Sequence, residues 1–229
     1  MTGRLAGVEA CVFDLYGTLL DVGSAVAREA GAVGPRADEL STLWRRKQLE
    51  YSWLRSLMRR HADFWQLTRD ALDHSLDALG LEAASLRERL LEAYGRLAAY
   101  PEVPPVLAAL RGLGRPPAVL SNGSPAMLEQ SLSAAGLTGL VDPVLSVEAV
   151  GVFKPAPEAY GLATRALGLP TARIAFFSSN GWDVHGAASF GLRAVWVNRG
   201  RQAAERLPAG PVLVLPDLAA VPVLVGAGP

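Results

Sequence analysis

Short apolar runs and helical periodicities alternate along most of this chain of 229 residues. Ala10, Cys11, Val12 and Phe13 form a run that stops abruptly at Asp14. Further runs lie at 118–120, 143–146, 174–177, 194–197 and 212–215, most of them closed by polar or turn residues. A short continuous apolar run reads as a strand buried on both faces. Between the runs, apolar residues recur at helical spacing over 105–113, 125–135, 158–167 and a stretch ending at 190, with a short helix at the end. Ser124-Pro125 reads as an N-cap followed by a first-turn proline, and Gly136 as a stop. Strands alternating with helices predict an α/β fold, a doubly wound Rossmann-like parallel sheet covered on both faces.

Residues 22–100 interrupt that alternation. Leu40, Trp44, Tyr51, Leu54 and Met58 follow helical spacing over 38–58, and Leu49, Trp53 and Leu57 form a second line on the same helix. Two stripes imply either a helix sandwiched within its own subdomain or a helix with one face against a second copy of the chain. Helices are also predicted over 63–79 and 85–99, with Gly80 ending the first. Nothing in 38–99 reads as a strand. The organisation is therefore a core from 1–21 and 101–229, with 22–100 inserted as an all-helical segment.

Composition narrows the classes. Half the residues are hydrophobic, so a substantial core is available, and 22 basic residues balance 22 acidic ones. A net charge of zero gives no global reason to seek nucleic acid. The one cysteine, Cys11, lies within the first strand and reads as a buried structural thiol. No apolar run approaches the ~20 residues of a membrane span, and Met1 to Arg4 lack the apolar region of a secretory signal. The expectation is a soluble cytoplasmic protein.

Polar residues collect where the strands end: Asp14 after the first, Ser121 and Asn122 after 118–120, and Ser178, Asn180 and Asp183 after 174–177. In a doubly wound sheet these endings share one edge, where ligands bind. Lys154 can join them from a loop. Asp14 stands where a nucleophile would be wanted, with Gly17 supplying backbone freedom, although an aspartate there can equally cap a turn. A carboxylate, a lysine, hydroxyls and amides converging on one edge look like an active site.

Asp14-Leu15-Tyr16-Gly17-Thr18, Ser121-Asn122-Gly123, Lys154-Pro155 and the 178–183 segment resemble the four motifs of the haloacid dehalogenase superfamily. The resemblance is closest to the L-2-haloacid dehalogenases and extends through Leu43-Trp44-Arg45-Arg46-Lys47-Gln48-Leu49-Glu50-Tyr51-Ser52-Trp53-Leu54-Arg55. It implies that the helical insertion is a cap. Most members of the superfamily are magnesium-dependent phosphotransferases with a second Asp two residues beyond the nucleophile. Here that position is Tyr16, and an expected metal-binding Asp falls on Ser178. Magnesium wants hard carboxylate oxygens, and a departing alkoxide needs a general acid. A halide needs none, so losing both groups fits carbon–halogen cleavage.

The resemblance further implies that Asp14 attacks C2 of a small haloacid, displaces halide and forms an aspartyl ester that water hydrolyses with inversion at C2. Lys154 supplies the opposite charge beside Asp14. Thr18, Ser178 and Asn180 hold its oxygens, and Asp183 orients or deprotonates the water, directly or through Lys154. Ser121 and backbone amides after Leu15 meet the substrate carboxylate, and Arg45, Asn122 and the Trp182 edge cradle the halide. Leu15, Tyr16, Leu49, Phe64 and Trp182 line an apolar pocket, and Tyr160 matches a family tyrosine. Each also has a plainer reading, as core, cap or solvated helix residue. No metal or organic cofactor is implied, and the partners are haloacid, halide and a second copy of the chain. Arg46 departs from the family's frequent Gln, and His185 is expected to point away from the site. The alternatives are a magnesium-dependent phosphatase and a catalytically idle binding protein on the same fold.

Overall fold

A computed structural model describes residues 5–81 and 84–226; Met1 to Arg4 and the last three residues of the tail lie outside it. Six parallel strands form one sheet: β1 (Ala10–Phe13), β4 (Ala118–Ser121), β5 (Val144–Ser146), β6 (Ile174–Ser178), β7 (Arg193–Val197) and β8 (Leu213–Leu215). Their spatial order is β5-β4-β1-β6-β7-β8. The chain leaves β1 towards β4 and later returns to its other side for β6, so β1 is the topological switch point where such sheets bind ligands. All four residues of β1 are buried, and Phe13 stacks on Phe177 with ring centroids 4.7 Å apart. Burial pushes the Cys11 thiol up to about 12, which makes it inert at neutral pH.

Register carries the site into place. Phe13 lies opposite Val119 of β4 and Phe177 of β6. Asp14 and Ser178, one residue beyond these partners, and Ser121, two beyond, are therefore brought to one edge. The core helices are α6 (Val103–Gly112), α7 (Pro125–Ala134), α8 (Pro157–Leu167), α9 (Gly181–Phe190) and α10 (Val221–Gly226). α6 begins two residues earlier than expected because Pro104 and Pro105 occupy its first turn, where a missing N–H costs nothing. Ser124 caps α7 by position, with extended backbone, but its side chain makes no cap bond.

The inserted segment contains α1 (Ser24–Arg28), α2 (Ala30–Val33), α3 (Ala37–Met58), α4 (Phe64–Leu79) and α5 (Ala84–Tyr94). Asp63 caps α4 by accepting from the Gln66 amide, and Gly80 ends it in the left-handed region. Contrary to the expectation of helix through 99, α5 stops at Tyr94 and Ala98–Ala99 form a strand, β3. It pairs antiparallel with β2 (Leu20–Asp21). A two-residue strand of alanines has no detectable period, and its partner lies almost eighty positions away, so no local pattern announces it. This ribbon joins the two ends of the helical segment.

The stripe assigned to α3 also needs correction. Its buried face is Leu40, Trp44, Gln48 and Ser52, a strict four-residue progression that includes two polar residues. Leu54, Leu57 and Met58 are exposed instead. Among the described residues no helix is long and apolar enough to cross a membrane.

Candidate active site

Asp14 follows directly from β1, and its amide donates to the Phe177 carbonyl at 2.9 Å, continuing the ladder one residue past the strand. The chain then turns sharply at Gly17 (φ 92°), whose amide bonds the Leu20 carbonyl. Only glycine adopts that conformation cheaply. The turn returns Thr18 to the nucleophile position, where its hydroxyl donates to Asp14 Oδ2 at 3.0 Å. Asn180 Nδ2 donates to the same oxygen at 2.8 Å and the Ser178 hydroxyl at 3.4 Å. The other oxygen, Oδ1, receives Lys154 Nζ at 3.1 Å.

Lys154 lies between two carboxylates, with Asp183 Oδ2 at 3.0 Å, and is itself almost wholly buried. Burial alone would push its pKa down, but Asp14 and Asp183 outweigh burial and raise it above the ordinary lysine value. Asp183 sits in the first turn of α9 with no exposed surface. Burial is the main cause that raises its pKa, to about 6, with Asp14 adding to the rise and Lys154 opposing it. The Tyr160 hydroxyl donates to Asp183 Oδ1 at 2.7 Å, so both carboxylate oxygens are engaged.

Next to Asp14 lies a small cavity lined by Asp14, Tyr16, Arg45, Leu49, Phe64, Ser121, Asn122, Asn180 and Trp182. It has about 10 Å³ of space for the centre of a water molecule, room for about one water. Arg45 reaches over from α3: Nη2 lies 3.3 Å from the Tyr16 carbonyl and 3.4 Å from Asn180 Oδ1. Asn122 turns its Oδ1 to the Lys154 amide at 3.0 Å. Trp182 meets Trp53 edge-on at 5.4 Å, so the second line on α3, Leu49 and Trp53, turns towards the site. A larger apolar groove of about 800 Å³ runs along the edge strand β5 and α7 and shares no lining residue with this cavity.

The structure thus brings together nearly all of the residues singled out by sequence, with two corrections. Leu15 does not line the cavity: its side chain is wholly buried in the core, because the residue after Asp14 turns inward. Tyr160 does not line it either; it stands behind Asp183, packed edge-on to Phe176. Of the amides after Leu15, that of Gly17 is already spent on Leu20. His185 bonds the Pro208 carbonyl, away from Lys154. Sequence reasoning missed Gln48 and Ser131, which are buried polar residues at core-facing helix positions; the Ser131 hydroxyl lies 3.2 Å from that of Tyr16. Their signal is a polar residue at a core-facing helical position.

Magnesium does not suit this donor set. An ammonium and three neutral donors surround Asp14, Tyr16 points its hydroxyl at Ser131, and Ser178 offers only a hydroxyl. Among the described residues no three His, Cys, Asp or Glu converge as a metal site.

A nucleophilic aspartate at the end of the first strand, a lysine shared between two carboxylates and an overhanging helical layer define a hydrolase of the haloacid dehalogenase-like class. The family's sequence model matches residues 8–191, and the chain belongs to it. Within that family it is 49% identical to (S)-2-haloacid dehalogenase 1 of Pseudomonas sp. (strain CBS-3), over 84% of this chain and 85% of the relative. Among solved structures, a dehalogenase with 43% identity superposes with a TM-score of 0.95, covering 97% of this chain and 99% of the other. The L-2-haloacid dehalogenase of Xanthobacter autotrophicus, solved with chloropropionic acid covalently bound, is 40% identical with a TM-score of 0.86, covering 95% and 98%.

Proposed function

We propose that the protein hydrolyses short L-2-haloalkanoic acids and haloacetates to the corresponding hydroxy acids, D-2-hydroxy acids from the chiral substrates. The observation that carries this is the setting of Asp14. One oxygen faces a buried lysine, the other takes three neutral donors, and the position two residues on, where a phosphatase keeps its general acid, holds Tyr16. The relatives' activity and the covalent chloropropionic acid in the Xanthobacter structure support the same chemistry.

Asp14 Oδ1, contacted by Lys154 alone, attacks C2 in line. The new C–O bond forms as the carbon–halogen bond breaks, and halide leaves with the bonding pair into the cradle of Arg45, Asn122 and Trp182. Ser121 receives the substrate carboxylate, and Tyr16, Leu49 and Phe64 enclose its alkyl part. Oδ2 becomes the ester carbonyl oxygen, so Thr18, Asn180 and Ser178 act as an oxyanion hole when water attacks Cγ. The proton passes to Asp183, directly or through Lys154, whose pKa falls once esterification removes the Asp14 charge. Breaking the Cγ–Oδ1 bond, with the proton held by Asp183 returned to the leaving oxygen, releases the hydroxy acid, inverted at C2, with an oxygen from Asp14. Tyr160 holds Asp183 in orientation.

Residues 22–100 act as a cap over the core 1–21 and 101–229, moving about the β2–β3 ribbon. The cavity is too small for a haloacid unless the cap moves, which supports this role. The protein is a homodimer, supported by the exposed Leu54, Leu57 and Met58 at the end of α3. It acts in the cytoplasm, in keeping with a lone buried thiol. Halide release from chloroacetate and from L- but not D-2-chloropropionate, unchanged by EDTA, is the expected outcome of a substrate screen. Release of phosphate from phosphomonoesters only with added magnesium would overturn it.

A further inference from the structure

Arg45 stands on a buried polar chain that no catalytic step uses. Gln48, one turn along α3, is 1% exposed and absent from the cavity wall. Its Oε1 accepts from Arg45 Nη1 at 2.8 Å, and its Nε2 donates to Thr68 Oγ1 at 2.7 Å and to the Tyr94 hydroxyl at 2.9 Å. The amide can stand only one way round. Arg45 has only donors, and the Thr68 hydroxyl spends its hydrogen on the Phe64 carbonyl at 2.7 Å, so it must accept from Gln48. The chain therefore runs from Arg45 through Gln48 and Thr68 to the backbone of Phe64, whose ring is a wall of the cavity. Tyr94, bonded to Gln48, lies over Tyr16 with ring centroids 5.8 Å apart.

We propose that Gln48 is the positioning residue of the leaving-group cradle, holding the Arg45 guanidinium on the departing halide. The inference rests on the dehalogenase activity proposed above. Arg45's contacts within the site, 3.3 and 3.4 Å, are long, so the short bond from Gln48 is the one that fixes the guanidinium. Burying an amide at a core-facing helical position has a cost that a methionine or leucine would avoid. A neutral acceptor explains the amide: it orients the cation without cancelling the charge the halide needs, which a glutamate would do.

The test is Gln48→Met, a volume-conserving change without an acceptor, made alone and in an Arg45→Lys background. Turnover is measured on L-2-chloropropionate and L-2-bromopropionate, and bromide binding by tryptophan fluorescence. A lost hydrogen bond to a charged group predicts kcat on the chloro substrate down about tenfold. The bromo substrate loses less, since bromide leaves with less help, and bromide binding weakens. In the Arg45→Lys background Gln48→Met adds no further loss, as expected of a residue acting through Arg45. Equal losses on both substrates, or fully additive losses, would overturn the proposal and leave Gln48 a packing residue. Thr68→Val, which removes only the hydroxyl Gln48 leans on, should show the same chloride bias more weakly and serves if Gln48→Met does not fold. Should the unmodified protein release halide from neither acid, the proposed activity fails instead. Bromide binding then decides Gln48: weaker in the variant upholds its role, and equal refutes it.

Discussion

The two oxygens of Asp14 meet different company, Lys154 at one and Thr18, Asn180 and Ser178 at the other, and this asymmetry divides their labour. Asp14→Ala is expected to abolish halide release while leaving the fold, measured by circular dichroism, in place. In the proposed mechanism Asp183 accepts the proton of the hydrolytic water only when ionised, so turnover limited by ester hydrolysis should rise with pH and level off above the pKa of Asp183, which is about 6 in the free enzyme. Esterification removes the Asp14 charge that helps raise Asp183, so the limb for ester hydrolysis should lie lower than that of the free enzyme. Asp183→Asn should stall after the first step, and intact-protein mass spectrometry should then find the mass of the ester intermediate, the protein plus substrate less halide. Replacing Lys154 by Met leaves two carboxylates buried together and should cost about 3–5 kcal/mol in unfolding free energy, read by urea titration. Asp14, Lys154 and Asp183 were legible because charged residues after apolar runs stand out. Tyr160's place was not, since a tyrosine on an amphipathic helix reads the same whether it faces a substrate or an aspartate.

Strand ends and helix faces supply the positions these residues need. The run 10–13 announced β1, and register against β4 and β6 did the rest, bringing Ser178 level with Asp14 and Ser121 one residue beyond it. The ribbon of β2 and β3 was invisible because two-residue strands are made by tertiary pairing and not by local pattern. On α3, counting apolar residues alone passed over Gln48 and Ser52, which share the buried face with Leu40 and Trp44. Gly123, just past β4, illustrates how tightly one element sets another. A Cβ there would come 2.9 Å from Tyr16 Cε2 and 2.8 Å from Leu128 Cδ2. Gly123→Ala should therefore push the Tyr16 ring into the cavity, raising KM for 2-chloropropionate more than for chloroacetate. Equal KM values for parent and variant would show that the ring has room to yield.

Across the whole molecule, the helical segment and the sheet meet at several points besides the active site. Arg199, after β7, lies 3.8 Å from the Tyr100 ring, pairs with Glu102 and donates to the Thr18 carbonyl, fastening the return from the β2–β3 ribbon to the turn that holds the nucleophile. His61 of the segment meets Glu148 of the core at 2.8 Å. The helical segment, tied to the core at both places beside a cavity of water size, predicts that substrate entry requires segmental opening. The proposed homodimer, if built on the exposed apolar end of α3, predicts that Leu57→Glu with Met58→Glu shifts the sedimentation coefficient from that of a dimer to that of a monomer; a dimer value in the variant would place the interface elsewhere, and a monomer value in the parent would refute the dimer. The parallel sheet with helices on its faces followed from alternation of strands and helices, whereas the size of the cavity depends on side-chain packing that periodicity does not encode. Covalent catalysis by Asp14 is tested most directly by a single turnover with enzyme in excess of L-2-chloropropionate in heavy-oxygen water. The label is expected in the Asp14 carboxylate, with lactate carrying ordinary oxygen at C2; label in the lactate hydroxyl would mean that water attacks C2 itself and that Asp14 is not the nucleophile.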